Sequence, residues 1–413
     1  MARPRPRDIG IIFGEFEPGK QNAITDVPGV GVGHYTLISG DGPLVVGQGP
    51  VRTGITVILP HGRNLFREKV QAGCFVLNGF GKSAGLHQIQ ELGTIETPIA
   101  LTNTLSVHRI ADAMVGYACS MSPEIGITTG TVNPVVGDIN DGFLNDIQGR
   151  HLREEHLLIA IQDAQKNLTA NSQPVNNFAE GLRPVEGNVG GGTGCSCLGF
   201  KGGIGTSSRK LPAEQGGWTI GVLAQTNFGG ELMITGVPVG ALLKRRSRVD
   251  SHATAPIPDS TGSCMVIIAT DAPLDSRLLA RMARRGGLGM ARTGFYSASG
   301  SGDFFIAFTI ANPVPHDPEC HDLRFTGSSA CDPQSIPIPG AGGPESAHVT
   351  AESKKAPLLY REVLPDEAMS PLFAAQAEAI EEAILNSLFA AQTITGRDRS
   401  EEHTSELQSP NQI

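Results

Sequence analysis

Two adjacent residues in this chain are of a type that could act on their own backbone. A polar stretch ends at Thr261-Gly262, and Ser263-Cys264-Met265-Val266-Ile267-Ile268 follows at once as an apolar run. A serine at the mouth of a buried strand, preceded by glycine in a solvent-exposed loop, suits self-cleavage. The Ser263 hydroxyl could attack the Gly262 carbonyl and form an ester by an N-to-O acyl shift, which water then hydrolyses. Glycine helps because it lacks a Cβ and tolerates a strained peptide. Cleavage would leave Ser263 as a new N-terminus. Its α-amine, with a reference pKa of about 7.7–8.0, could then serve as the base for its own hydroxyl. The bland alternative is a Gly-Ser pair entering a strand, which is common and needs no function.

Other candidate chemistries are weaker. Gly79-Phe80-Gly81-Lys82-Ser83 ends like a phosphate-binding loop, but the pattern needs a glycine where Val76 stands. The glycine-rich stretch Gly187 to Arg209 has no GK[ST] and no strand–GxGxxG–helix frame. Both read as backbone packed near a site rather than as a nucleotide cradle. His151 and His156 are five apart on an expected helix, so they do not face one another, and the sequence contains no HExxH. Cys195 and Cys197 do not have zinc-knuckle spacing, and Cys320 and Cys331 lack matching histidines. The seven cysteines, an odd number, fit reduced thiols better than a disulfide framework.

These residues must be positioned by a chain of 413 residues, long enough for one large or two ordinary domains. A net charge of −9 argues against non-specific nucleic-acid binding. No apolar run reaches the roughly 18 residues of a membrane span. The run Ile9 to Phe13 is too short for a signal-peptide core, so the expected location is cytoplasmic. Glycine is abundant, 52 residues, and clustered, which suggests tight turns and backbone lining a site.

Ile55–Leu59, Pro98–Leu101, Trp218–Ala224, Ser263–Ala269 and Asp303–Ala311 read as buried strands. Helices are expected from Ser106, over Glu154–Gln165, over Pro273–Arg285 with Gly286-Gly287 as the stop, and from Ser370-Pro371 onward. In the last of these, Leu372, Ile380, Ile384 and Leu388 share one face. The mixture points to an α/β sandwich with sheets inside and helices outside. Residues 244–262 read as a linker, and 313–355 as a surface insertion. Arg399 to Ser409 (RSEEHTSELQS) matches what one frame of a common sequencing adapter encodes, so 399–413 is set aside as a non-native tail.

Several ordered segments resemble one family. They are Asn22 to Val30 (NAITDVPGV), Gly47 to Leu59 (GQGPVRTGITVIL), Thr131 to Val136 with Asn140 to Ile147, and Phe200 to Arg209 (FKGGIGTSSR). Ala269 to Leu274, Ala291 to Gly294 and Gly300 to Asp303 continue the series. Over about Arg7 to Asp398 the chain resembles the L-aminopeptidase/D-esterase and β-peptidyl aminopeptidase family, autoprocessed serine peptidases of N-terminal-nucleophile type. The resemblance implies a four-layer αββα sandwich in which 1–262 and 263–398 are two associated pieces of one domain. It also implies a homotetramer, no metal or organic cofactor, and small peptide, amide or ester substrates with a free amine.

By motif, it makes Ser263 the nucleophile, Gly262–Ser263 the cleaved bond, Ser301 and Asp303 the pair beside the new amine, and Asn227 an oxyanion donor. Two positions depart from the family pattern. Phe143 stands where relatives carry a tyrosine whose hydroxyl is a second oxyanion donor. Asp138 stands where a glutamate holds the substrate's amine. Phe143 keeps open a second reading, a catalytically weakened homologue acting as a binding or scaffold protein, and the incomplete loop at Gly79 to Ser83 a third, a nucleotide-binding module.

Overall fold

The computed structural model describes residues 3–172, 183–250, 262–317, 361–399 and 401–402. In chain order the strands are β1 (Gly31–Ser39), β2 (Val51–Leu59), β3 (Glu68–Gly79), β4 (Thr94–Ile95), β5 (Ile99–Asn103), β6 (Val135–Ile139) and β7 (Ser196–Cys197). They continue with β8 (Phe200–Lys201), β9 (Gly203–Lys210), β10 (Thr219–Asn227), β11 (Ser263–Thr270), β12 (Gly302–Pro315), β13 (Ile394–Thr395) and β14 (Glu401–Glu402). The helices are α1 (Leu86–Leu92), α2 (Val107–Met121), α3 (Glu154–Ser172), α4 (Val239–Asp250), α5 (Ser276–Ala291) and α6 (Met369–Ala390). Ile55–Leu59, Ser263–Ala269 and Asp303–Ala311 lie within β2, β11 and β12, while Pro98–Leu101 and Trp218–Ala224 each begin one residue before their strands, β5 and β10.

Two sheets carry the fold. One has four strands in the order β1-β2-β5-β6, and the other six in the order β4-β3-β12-β11-β10-β9. Each contains one parallel pair, β5/β6 and β11/β12, among antiparallel neighbours. A parallel pair needs a crossover, and α2 and α5 supply it.

Strand β11 shows why a continuous apolar run was needed. Its Met265 and Ile267 join Leu101, Leu223, Phe304 and Ile306 in a cluster drawn from both sheets. Its alternate residues Val266 and Ile268 pack with Leu278, Leu279, Ile380 and Ile384 of α5 and α6. Both faces are buried, so the two-residue alternation of a half-exposed strand is absent. Helices α2 and α3 lie on the four-stranded sheet through Ile110, Met114, Leu157 and Ile161.

The structure corrects several boundaries. Gly286-Gly287 does not stop α5, which continues to Ala291. A Cβ on Gly286 would lie 2.1 Å from Phe305 Cδ1, so this glycine serves close helix-to-strand packing. Helix α4 extends to Asp250, so 244–250 is helix rather than linker; 251–261 lie outside the described residues. Strand β12 extends to Pro315, and His316 stacks on Phe66 with centroids 4.4 Å apart, so the insertion does not begin at 313; 318–360 lie outside the described residues. His151 precedes α3 and bonds Asp146 at 2.9 Å, while His156 in the first turn stacks on Tyr35 at 4.2 Å. Of the tail, Glu401–Glu402 pairs with β13, and 403–413 lie outside the described residues.

Helix α6 also departs from its one-faced pattern, because Glu378 and Glu382 are buried along with its apolar residues. Arg209 of β9, fully buried, bonds Glu378 at 3.2 Å and Glu382 at 2.7 Å. Arg7 and Asn22 also reach Glu382, at 2.7 and 2.6 Å. Among the described residues, no helix is long and apolar enough to cross a membrane.

Candidate active site

Strand register assembles the site. Ser263, the first residue of β11, is paired antiparallel with Asn227, the last residue of β10. On its other side it is paired parallel with Gly302, the first residue of β12. Residues 227, 263 and 302 thus stand in one row across three strands, with Ser301 and Asp303 flanking the row.

Ser263 is buried, and its Oγ donates to the Gly262 carbonyl oxygen at 2.7 Å. The same oxygen accepts from Gly302 N–H at 3.0 Å. Two donors on one carbonyl withdraw electron density from its carbon and favour attack there. A Cβ on Gly262 would lie 2.5 Å from Phe228 Cα and 2.8 Å from the Asn227 carbonyl oxygen, so a side chain at this position would force the backbone apart.

Asp303 is fully buried. Its oxygens accept from Ser301 Oγ at 2.7 Å and from Ser297 Oγ at 3.1 Å. Burial pushes its carboxyl up to about 6, against the pull of those two hydroxyls. The Ser301–Asp303 pair is therefore a real contact, and Ser297 is a third member that sequence reading missed. No motif marks Ser297, which lies six residues upstream on a separate turn.

Asn227 is held from both ends. Its Oδ1 accepts from Ser196 N–H at 2.9 Å, and its Nδ2 donates to the Asn140 carbonyl at 3.0 Å. Asn140 opens the turn that carries Phe143, a residue 43% exposed. A buried network holds this turn. Asp141 accepts from Thr53 at 2.6 Å and from Asn145 at 3.0 Å, and Asn103 donates to Thr53 at 2.8 Å. Burial raises the Asp141 carboxyl to about 6.

Asp138 lies on β6, in the other sheet. It is fully buried, and its carboxylate accepts from Lys82 N–H at 3.0 Å, Ser83 Oγ at 2.7 Å and Thr104 Oγ1 at 2.9 Å. Ser83 also reaches Met265 Sδ at 3.6 Å, two residues along β11 from Ser263. This contact accounts for the phosphate-loop-like sequence. A Cβ on Gly81 would lie 2.5 Å from Phe304 Cε2 and 3.2 Å from Asp138 Oδ1, and Lys82 N–H is committed to Asp138. In the second glycine-rich stretch, Gly190 and Gly191 N–H donate to Thr36 and Thr56 hydroxyls at 2.8 and 3.1 Å. A phosphate cradle needs such groups pointing at open space, so these loops serve as packed walls. Among the described residues, no group of three or more His, Cys, Asp and Glu side chains is placed to hold a metal ion.

A mixed α/β fold with a serine at the head of a central strand, a polarised carbonyl before it and an amide clamped beside it is equipped for acyl transfer. Comparison with known proteins agrees, and the chain belongs to peptidase family S58, whose profile matches residues 22–402. It is 38% identical over 403 residues to the β-peptidyl aminopeptidase BapA of Sphingosinicella microcystinivorans, covering 95% of this chain and 87% of that protein. The solved structure of the PH0078 protein from Pyrococcus horikoshii OT3 matches with a TM-score of 0.79 at 43% identity, covering 98% and 96% of the two chains. The L-aminopeptidase D-Ala-esterase/amidase of Ochrobactrum anthropi matches with a TM-score of 0.76 at 31% identity, covering 99% and 97%. That structure is described as a prototype for the serine aminopeptidases and a new variant among the Ntn hydrolase fold.

Proposed function

We propose that this chain is a serine aminopeptidase that cleaves its own Gly262–Ser263 bond and then removes N-terminal residues from small peptides, amides or esters. The observation that carries the reading is Ser263 Oγ, 2.7 Å from the Gly262 carbonyl oxygen at the head of β11, in register with Asn227 and Gly302.

In self-cleavage, Ser263 Oγ forms a bond to the Gly262 carbonyl carbon, and the C–N bond breaks. The hydroxyl proton ends on the departing Ser263 nitrogen. Water then hydrolyses the Gly262 ester and returns the hydroxyl. In turnover, the freed α-amine takes the Ser263 hydroxyl proton as Oγ attacks the substrate, and it donates that proton to the leaving amine. Ser301 and Asp303, on either side of Gly302, orient that amine. Asn227 Nδ2 uses one N–H on Asn140 and turns the other to the oxyanion, a contribution of about 3 kcal/mol to the transition state. The substrate's free amine is assigned to the Asp138 carboxylate, which also accepts from Lys82 N–H and Ser83 Oγ.

After cleavage the pieces 1–262 and 263–398 stay joined, because β11 pairs with β10 and β12 with β3 along their length. The same reading gives a four-layer αββα sandwich assembled as a cytoplasmic homotetramer, with no cofactor.

A denaturing gel with mass spectrometry tests the central step. Purified protein should contain fragments of 262 and 413 − 262 = 151 residues, the second beginning Ser-Cys-Met-Val, and should release p-nitroaniline from aminoacyl p-nitroanilides. Ser263→Ala should abolish both. Folded wild-type protein that stays a single chain refutes the reading. Phe143, which cannot donate a hydrogen bond, favours a second reading of a weakened homologue that binds rather than hydrolyses; processing without turnover would select it.

A further inference from the structure

Lys201 is a buried cation to which the reaction above gives no part. Its side chain is fully buried, and its ammonium donates to three backbone carbonyls: Cys195 at 2.6 Å, Gly202 at 2.7 Å and Gly192 at 3.3 Å. The Cys195 carbonyl also accepts from Gly202 N–H at 3.1 Å. That carbonyl belongs to the peptide unit whose N–H is Ser196 N–H, the group that donates to Asn227 Oδ1 at 2.9 Å.

The connection has a direction. A peptide whose oxygen is gripped by an ammonium carries a more positive N–H, and hydrogen bonds in a chain polarise one another. Ser196 N–H can only donate and the Asn140 carbonyl can only accept, so together they fix which end of the Asn227 amide is oxygen and which is nitrogen. Polarising Oδ1 makes the Nδ2 hydrogens better donors.

We propose that Lys201 is a positioning residue for Asn227: through the Cys195–Ser196 peptide, its ammonium holds and polarises the Asn227 side chain as a donor to the oxyanion. The inference rests on the reading of Asn227 as an oxyanion donor, and it assigns a role in the reaction to the short β7–β8 hairpin.

The test measures kcat and KM on an aminoacyl p-nitroanilide, with processing followed by gel. Lys201→Gln keeps N–H donors near the carbonyls but removes the charge. It should lower kcat about tenfold with KM within about twofold, and Lys201→Arg should recover most of the loss. In an Asn227→Ala background, Lys201→Gln should cost nothing further, because the group it acts through is gone. An equal loss in that background, an unchanged kcat, or a rise in KM alone overturns the proposal.

If Lys201→Gln does not accumulate as folded protein, Ser196→Pro carries the test, since it deletes the connecting N–H. It should match the kcat of Asn227→Ala and add nothing to it; wild-type kcat or an additive loss overturns the proposal. Asn227→Ala with wild-type kcat would instead remove the oxyanion reading itself. A loss on Asn227→Ala with none on Lys201→Gln would remove only the present inference.

Discussion

Asp303→Asn, made in a Ser263→Ala background that keeps the chain whole, isolates the cost of a carboxylate buried beside the nucleophile's strand. Burial raises the folded carboxyl from 3.8 to about 6, with the Ser301 and Ser297 hydroxyls opposing the rise. At about 1.36 kcal/mol per pH unit, the full difference is about 3 kcal/mol. Well below pH 4 both states hold the proton and there is no penalty. As pH climbs through 4 to 6, the unfolded chain ionises first and the folded chain binds more protons, so unfolding free energy falls. Above about pH 7 the loss is complete.

Titration of this one group places about 2 of those 3 kcal/mol between pH 4.5 and 8. Asparagine stays neutral, and its amide can accept from one serine and donate to the other. The stability of Asp303→Asn relative to Asp303 should therefore improve by about 2 kcal/mol from pH 4.5 to pH 8. Urea unfolding followed by the single tryptophan, Trp218, measures it at each pH. Subtracting the two proteins cancels other groups that titrate in this range, Asp141 among them. A gap that does not change with pH, or that widens toward acid, refutes the argument that burial governs this carboxyl.

Phe143→Tyr places a phenol on an exposed turn whose anchor, Asp141, is untouched, so folding should be unaffected and kcat should rise by about 10². Steady-state assay on p-nitroanilides decides it, and an unchanged kcat would mean that the ring does not reach the oxyanion. Arg209→Met leaves Glu378 and Glu382 buried without their shared partner, and it should cost about 3–5 kcal/mol in urea unfolding at pH 7. A loss below about 1 kcal/mol would mean that Arg7 and Asn22 suffice to hold Glu382.

Local patterning made much of the frame legible. The continuous apolar runs in β2, β10, β11 and β12 announced strands buried on both faces; β2, β10 and β11 are buried throughout, and β12 is so from Gly302 to Thr309 before it emerges. Where local rules failed, a tertiary contact was responsible. Gly286-Gly287 is a helix stop by propensity, but Phe305 fills the space a side chain would need. Arg209 and the glutamates of α6 carry the composition of a solvated surface, yet they neutralise one another in the interior. The GKS sequence after Gly79 has the composition of a phosphate loop, and its N–H is instead committed to Asp138.

By itself the chain determined where a nucleophile could arise: a glycine with no Cβ, a serine, then six apolar residues that must enter the core. A short-range rule suffices there, because the Ser263 hydroxyl and the Gly262 carbonyl are covalent neighbours. It could not determine which groups would surround that bond, since Asn227, Ser297, Gly302 and Lys201 lie tens of residues away. The pairing of β10, β11 and β12 sets Asn227 and Gly302 on either side of Ser263, with Gly302 N–H on the Gly262 carbonyl, while Ser297 joins through Asp303 and Lys201 through the Cys195–Ser196 peptide. Register between strands is set by which faces can be buried together, a property of two whole sheets rather than of any one segment.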